Sequence, residues 1–185
     1  MSNIPGDKRR YASASVPAAW SKNVSILTCM DARVDPMKLL GLQPGEAHII
    51  RNAGGRATED AITSLVVSAV VLDKPQIVVI HHTACAMNRL TNEQLWEEAR
   101  RKSNVDVSRL DFLAFTDLNA SVREDVAKIA TSPFIGNDVV VIGLVCDLST
   151  GQLREICCIK VGSEARAGQT NVAISYTCDA SESGT

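Results

Sequence analysis

Five short runs rich in β-branched and other apolar residues constrain this 185-residue chain more than any other feature. They are 24–28 (VSILT), 47–51 (AHIIR), 76–81 (QIVVIH, preceded by Pro75), 138–145 (DVVVIGLV) and 153–160 (LREICCIK). Each is too short for an independent helix and too continuously apolar for a strand with a wet face, so they read as strands covered on both sides. Helical punctuation fills the gaps. A short helix fits 36–40, closed by Gly41. A longer one fits 58–72, where Glu59 and Asp60 suit the positive end of the helix dipole. Two capping-box patterns, Thr91 to Gln94 and Ser121 to Glu124, announce helices near 92–102 and 117–130, and Pro133 helps end the second. Strands alternating with helices predict an α/β fold with a mostly parallel sheet flanked by helices. The turn 149–152 (STGQ) joins the last two strands as an antiparallel pair. The helix at 58–72 (…ITSLVVSAVVL) is apolar almost all round, which predicts burial in the core or at a subunit interface.

One domain accounts for this pattern. We assign 1–22 to an N-terminal arm, 23–162 to an α/β catalytic domain and 163–185 to a polar C-terminal tail. A net charge of −2 gives no electrostatic basis for binding nucleic acid or an anionic membrane. The longest apolar run, about 65–72, is far short of a membrane span. Lys8, Arg9 and Arg10 are not followed by an apolar segment, so no secretory signal is predicted and the expected location is the cytoplasm. There the six cysteines stay reduced, free to be core thiols, nucleophiles or metal ligands.

Three polar clusters sit immediately after strand ends: Cys29-Met30-Asp31-Ala32-Arg33, Arg51-Asn52-Ala53-Gly54-Gly55-Arg56, and His81-His82-Thr83-Ala84-Cys85. Ligands of open α/β sheets bind beyond the C-terminal strand ends, where the strand order reverses. If the first and third strands are neighbours, Cys29 meets the His82/Cys85 pair there. Two thiolates and one imidazole suit zinc, one ion per chain, and three protein ligands leave a fourth position for water, the catalytic pattern. Consecutive residues on a strand face opposite ways, so His81 and His82 cannot both be ligands, and the spacing to Cys85 favours His82. Asp31 beside Arg33 stays ionised and can orient a zinc-bound hydroxide that attacks the carbon of a small, linear, CO2-like molecule. Two thiolates leave the ion formally neutral, so the water should ionise above the ~7 of three-histidine sites. If Arg33 turned away, Asp31 could instead close the site as a fourth ligand.

The other polar residues have plainer readings. Gly54-Gly55 lacks a nucleotide-binding fingerprint and instead allows close backbone approach near the metal or a turn with positive φ. His48 reads as structural, and His81 as a hydrogen-bonded neighbour of the site. Cys146, Cys157 and Cys158 read as core thiols, Cys178 has no interpretable context, and Trp96 reads as packing.

The segments CMDARVDP (29–36), HIIRNAGGRATEDAITSL (48–65), IVVIHHTACAM (77–87) and SVREDVAKIATSPFI (121–135), followed by VIGLVCDLSTGQLREI (141–156), resemble the β-class carbonic anhydrases in their small form. The resemblance implies four parallel strands with a further antiparallel strand, a zinc site of Cys29, His82 and Cys85, an Asp31/Arg33 catalytic dyad, and reversible hydration of CO2 to bicarbonate. It also implies a homodimer or a dimer of dimers, with a small-molecule substrate as the other partner. One departure stands out. The small form usually reads His-Thr-Asp-Cys-Gly where this chain has His82-Thr83-Ala84-Cys85-Ala86. The less polar Ala84 and Ala86, with Gly54 and Gly55, are expected to line the substrate pocket. Such a rim opens the alternative of carbonyl sulfide hydrolysis to CO2 and H2S on the same metal, and behind it carbon disulfide hydrolysis or a non-catalytic zinc protein.

Overall fold

The computed structural model describes residues 23–72 and 76–162. The arm, the tail with Cys178, and Pro75 lie outside the described residues. Strands β1 (Val24–Cys29), β2 (Ala47–Asn52), β3 (Gln76–His82), β4 (Val140–Cys146) and β5 (Leu153–Lys160) form one sheet in the order β2-β1-β3-β4-β5. The first four are parallel and β5 runs antiparallel to β4, as expected. Helices α1 (Pro36–Leu39), α2 (Glu59–Val71), α3 (Asn92–Ser103) and α4 (Leu118–Ala130) complete the order.

Burial follows position in the sheet. The central strands β1 and β3 are buried along nearly their whole length, whereas β2, at the edge, alternates between partly buried and exposed positions. One sheet face, with Leu27, Ile77, Val79 and Val141, packs against α2 and α4. The other, with Ile26, Val78 and Ile80, packs against the α1 region through Met37 and Leu39. Val122, Val126 and Ile129 of α4 are fully buried, and each contributes roughly 1.5–3 kcal/mol of apolar burial. That helix sits close because β4 has a glycine beneath it. A Cβ on Gly143 would lie 2.5 Å from Val122 Cγ1 and 2.9 Å from Val126 Cγ2.

One local expectation needs correction and another is narrowed. Helix α4 is opened by Asp117, whose side chain accepts from Ala120 N, and not by a box at Ser121. Ser121 lies inside the helix with its hydroxyl turned to the sheet, so the Ser121 to Glu124 pattern was coincidental. Thr91 and Gln94 do form a reciprocal capping box at α3. Helix α2 is not buried all round: Ala61, Leu65 and Ser68 face the sheet, while Val67, Val70 and Val71 are 59%, 81% and 56% exposed. A single sheet can cover only one face of a helix, so its outer valines have no cover among the described residues.

The topology fixes where a site can form. From β1 the chain steps outward to β2, then returns across β1 to place β3 on its other side. The strand order therefore reverses between β1 and β3, and the crevice beyond their C-terminal ends is the favoured ligand position.

Candidate metal centre

Cys29 ends β1 and His82 ends β3, so the parallel pairing of these strands brings the two residues together. Cys85 joins them through the turn Thr83–Ala84. Thr83 N donates to Cys146 O at 3.0 Å and Thr83 Oγ1 accepts from Leu148 N at 3.0 Å, which ties the turn to the end of β4. Ala84 reverses the chain in the left-handed region, φ 54°. The ligand atoms of Cys29, His82 and Cys85 all lie within 4.8 Å of one another, and all three residues are buried.

The spacing fits a cation. Cys29 Sγ and Cys85 Sγ are 3.9 Å apart. A disulfide would require about 2.05 Å, whereas two thiolates on a tetrahedral zinc with bonds of ~2.3 Å stand about 3.8 Å apart. His82 Nδ1 donates to Thr83 O at 2.9 Å, which fixes the tautomer and leaves Nε2 with its lone pair. That Nε2 is buried and has no hydrogen-bond partner. A buried acceptor is rarely left unpaired, and a metal ion would satisfy this one.

The thiols divide one proton unequally. Cys29 is lowered, chiefly because Cys85 donates to its sulfur, against the opposing effect of burial. Cys85 is pushed well up by the Cys29 sulfur and by burial. Burial alone would lower His82, but the neighbouring Cys29 sulfur and the Thr83 carbonyl outweigh it and raise it. A dication replacing the shared proton would be bound by both sulfurs as thiolates.

Asp31 and Arg33 pair beside the metal group. Arg33 donates from its amide and Nε to Asp31 Oδ1, both at 2.9 Å, and from Nη2 to Oδ2 at 2.5 Å. These bonds hold the Asp31 carboxyl well below the usual carboxylate range. Arg33 Nη2 also reaches the Ala84 carbonyl at 3.3 Å, which links the dyad to the turn carrying Cys85. Asp31 is thus engaged with Arg33, and no fourth side chain joins the three ligands among the described residues.

Several contributors were not singled out from the sequence. Arg51 donates to three carbonyls of the loop after β1, those of Cys29 (2.9 Å), Asp31 (2.6 Å) and Val34 (2.9 Å). Met87 and Phe115 form an apolar wall with Cys29 and Cys85. Gly54 and Gly55 are buried behind Cys29, and a Cβ on Gly55 (φ +71°) would lie 2.9 Å from Cys29 N. Ala84 and Ala86 are exposed at the rim. His81 faces away from the ligands, toward α4, as its neighbour relation to His82 requires.

The carbonic anhydrase family profile matches residues 24–153, which span strands β1 to β4, the metal group and the Asp31/Arg33 pair. This chain belongs to the β-carbonic anhydrase family. It is 34% identical over 149 residues to β-carbonic anhydrase 1 of Mycobacterium tuberculosis, covering 79% of this chain and 91% of that one. It is 31% identical to carbon disulfide hydrolase of Saccharolobus solfataricus, over 84% of this chain and 80% of the relative. The crystal structure of carbonic anhydrase from Streptococcus mutans superposes with a TM-score of 0.75 at 44% identity, covering 80% of this chain and 89% of that one. The relatives therefore include proteins named β-carbonic anhydrase and proteins named carbon disulfide hydrolase.

Proposed function

We propose that this β-carbonic anhydrase family member holds one zinc ion through Cys29, His82 and Cys85 and interconverts CO2 and water with bicarbonate and a proton. The observation that carries the reading is the buried, unpartnered Nε2 of His82 facing two sulfurs 3.9 Å apart, with an ionised carboxylate alongside. Zinc bound there would supply the Lewis acidity that makes a nucleophile from water near neutral pH. The chain's own residues do the rest. Asp31 is kept charged by Arg33 and serves as an acceptor that fixes the direction of the nucleophile's hydrogen, leaving its lone pair toward the carbon. Arg33 holds the carboxylate in place so that it does not itself become a ligand. Met87 and Phe115 exclude water on one side, while Ala84 and Ala86 form a small apolar rim suited to a linear substrate with no hydrogen-bond donor. Because Cys29 and Cys85 cancel the dication's formal charge, activity is expected to rise with pH into the alkaline range.

A second reading is favoured by that rim and by the 31% identity to an enzyme named carbon disulfide hydrolase. Sulfur is larger and less polar than oxygen, and a methyl at each of Ala84 and Ala86 suits it. On this reading the substrate is carbonyl sulfide or carbon disulfide and H2S leaves. The deciding experiment is stopped-flow CO2 hydration alongside H2S release from carbonyl sulfide and from carbon disulfide, on one zinc-loaded preparation. We expect CO2 hydration to dominate, and Asp31→Ala to keep its zinc while losing about a hundredfold or more in turnover. Dominant H2S release would establish the second reading. Inertness toward all three substrates would sink both.

We place the enzyme in the cytoplasm as a homodimer. The five described cysteines are all free, which suits a reducing compartment, and no described helix is long and apolar enough to cross a membrane.

A further inference from the structure

Beside the metal group, between the sheet and α4, lies a buried polar network that the chemistry above does not use. Asp125 of α4 is 3% exposed and Arg56 is 8% exposed, while His81 is fully buried. Asp125 Oδ1 accepts from Ala57 N at 3.0 Å. Its Oδ2 is in ionic contact with Arg56 Nε at 2.8 Å and lies 3.1 Å from His81 Nε2. His81 Nε2 is also 3.2 Å from Gly55 O, so this nitrogen, facing two acceptors, carries a hydrogen. Ser121 Oγ, one turn before Asp125, holds His81 Nδ1 at 2.9 Å.

Each strand of this network ends on a metal-bearing segment. His81 precedes His82 directly. Gly55, held through its carbonyl, packs so tightly on the backbone of Thr28 and Cys29 that a Cβ would approach to 2.9 Å. Arg56 Nη1 donates to Leu113 O at 3.0 Å, and its guanidinium carbon lies 5.3 Å from the centroid of the Phe115 ring. Phe115 N in turn donates to Met87 O at 2.9 Å, two residues after Cys85. Leu113 takes a left-handed conformation, φ 56°, to present that carbonyl. Backbone strain and a buried charge pair are both costly arrangements that hydrophobic packing would avoid. Apolar contacts are also non-directional, whereas the hydrogen bonds of Asp125 Oδ1 with Ala57 N, of His81 with Ser121 Oγ and Gly55 O, and of Arg56 with Leu113 O fix angles.

We propose that Asp125, Arg56 and His81 are positioning residues that set the mutual geometry of Cys29, His82 and Cys85 from the α4 side of the sheet. The inference rests on the zinc reading and adds that metal affinity and ligand-field geometry are controlled from α4, by residues that touch neither metal nor substrate. In Asp125→Asn, an amide replaces one carboxylate oxygen and cannot serve both Arg56 and His81. In Ser121→Ala, His81 loses only its second anchor.

The test compares wild type, Asp125→Asn, Ser121→Ala and Val126→Ala. Val126→Ala is a control that destabilises the same helix by opening a cavity without touching the network. Zinc affinity is measured by chelator competition, and the visible d–d spectrum is recorded after cobalt substitution, at temperatures well below each variant's melting transition. We expect Asp125→Asn to bind zinc about tenfold more weakly or worse, as outer-sphere partners of metal ligands typically do. Its cobalt bands should move and kcat should fall with KM little changed. Ser121→Ala should show the same changes at smaller size, and Val126→Ala should show lower thermal stability alone. If wild type binds zinc and turns over but neither network variant alters affinity or spectrum beyond the Val126→Ala control, the proposal is overturned while the zinc reading stands. Should Asp125→Asn fail to fold, Ser121→Ala decides: an unchanged spectrum overturns the proposal and a shifted one supports it. A wild type that takes up no zinc removes the underlying reading instead.

Discussion

Two thiols at 3.9 Å that divide one proton are already organised for a dication, and the division has a measurable consequence. In the metal-free protein Cys29 is the more acidic thiol and Cys85 is pushed well up, so near neutral pH the pair carries one proton. Zinc needs both sulfurs as thiolates and His82 neutral. Binding therefore expels the Cys85 proton, and a further one below the raised pKa of His82. Affinity must fall as pH falls, because the same protons compete for the same lone pairs. Calorimetric titration of metal-free protein with zinc at pH 8, in buffers of different ionisation enthalpy, is expected to show release of at least one proton per ion. Zero release would mean that the sulfurs are not the ligands. Cys29→Ser and His82→Ala should each abolish stoichiometric zinc. These candidate ligands were legible in the sequence because Cys29 and His82 end apolar strands and Cys85 follows in the next turn. Arg51 was not, since its three acceptors are main-chain carbonyls, and carbonyls carry no sequence signature.

At the scale of elements, the distance between α4 and the sheet is set by a missing side chain. Gly143 of β4 lies under Val122 and Val126, both β-branched and stiff at χ1. Gly143→Ala would put a methyl 2.5 Å from Val122 Cγ1 and 2.9 Å from Cys157 Sγ, so the helix has to lift. We expect a loss of about 1–3 kcal/mol, the usual cost of overpacking, read as a lower urea midpoint at unchanged m-value. A midpoint equal to wild type would show that α4 is not seated on that glycine. The boundaries of α3 and α4 were readable within a residue or two, but the opening of α4 was misassigned. Both Asp117 and Ser121 are cap-type residues, and the choice was made by His81, which claims the Ser121 hydroxyl across 40 residues of sequence. A signal for the buried network was present all the same. Ser121 and Asp125 stand four apart on the stripe occupied by Val122, Val126 and Ile129, and polar residues on a core-facing helical stripe require partners.

For the whole molecule, the uncovered valines of α2 and the exposed Ile49 of edge strand β2 lie on the same side of the sheet order. Val67 and Ile49 line one shallow groove, and monomeric soluble proteins rarely leave large apolar patches in water. If this face joins the proposed homodimer, Val67→Asp with Val70→Lys should shift the sedimentation coefficient toward that of a monomer. Far-ultraviolet circular dichroism should remain that of the folded chain, because neither side chain is needed to cover the sheet. A double variant that sediments as wild type would place the dimer interface elsewhere.

The sequence alone determined the strand and helix order, the mostly parallel sheet, the family, and the residues able to hold a metal. The element order, the sheet and the candidate ligands follow from local periodicity and from which residue types stand at strand ends, and the family from the resemblance of whole segments such as CMDARVDP (29–36) and IVVIHHTACAM (77–87). Only the tertiary structure decided that His82 Nε2 is left unpaired, that His81 turns to α4, and that one face of α2 stays open. The reason is physical: hydrogen-bond satisfaction and burial depend on what the fold brings alongside each atom, and residues separated by 40 to 70 positions supply most of those neighbours here.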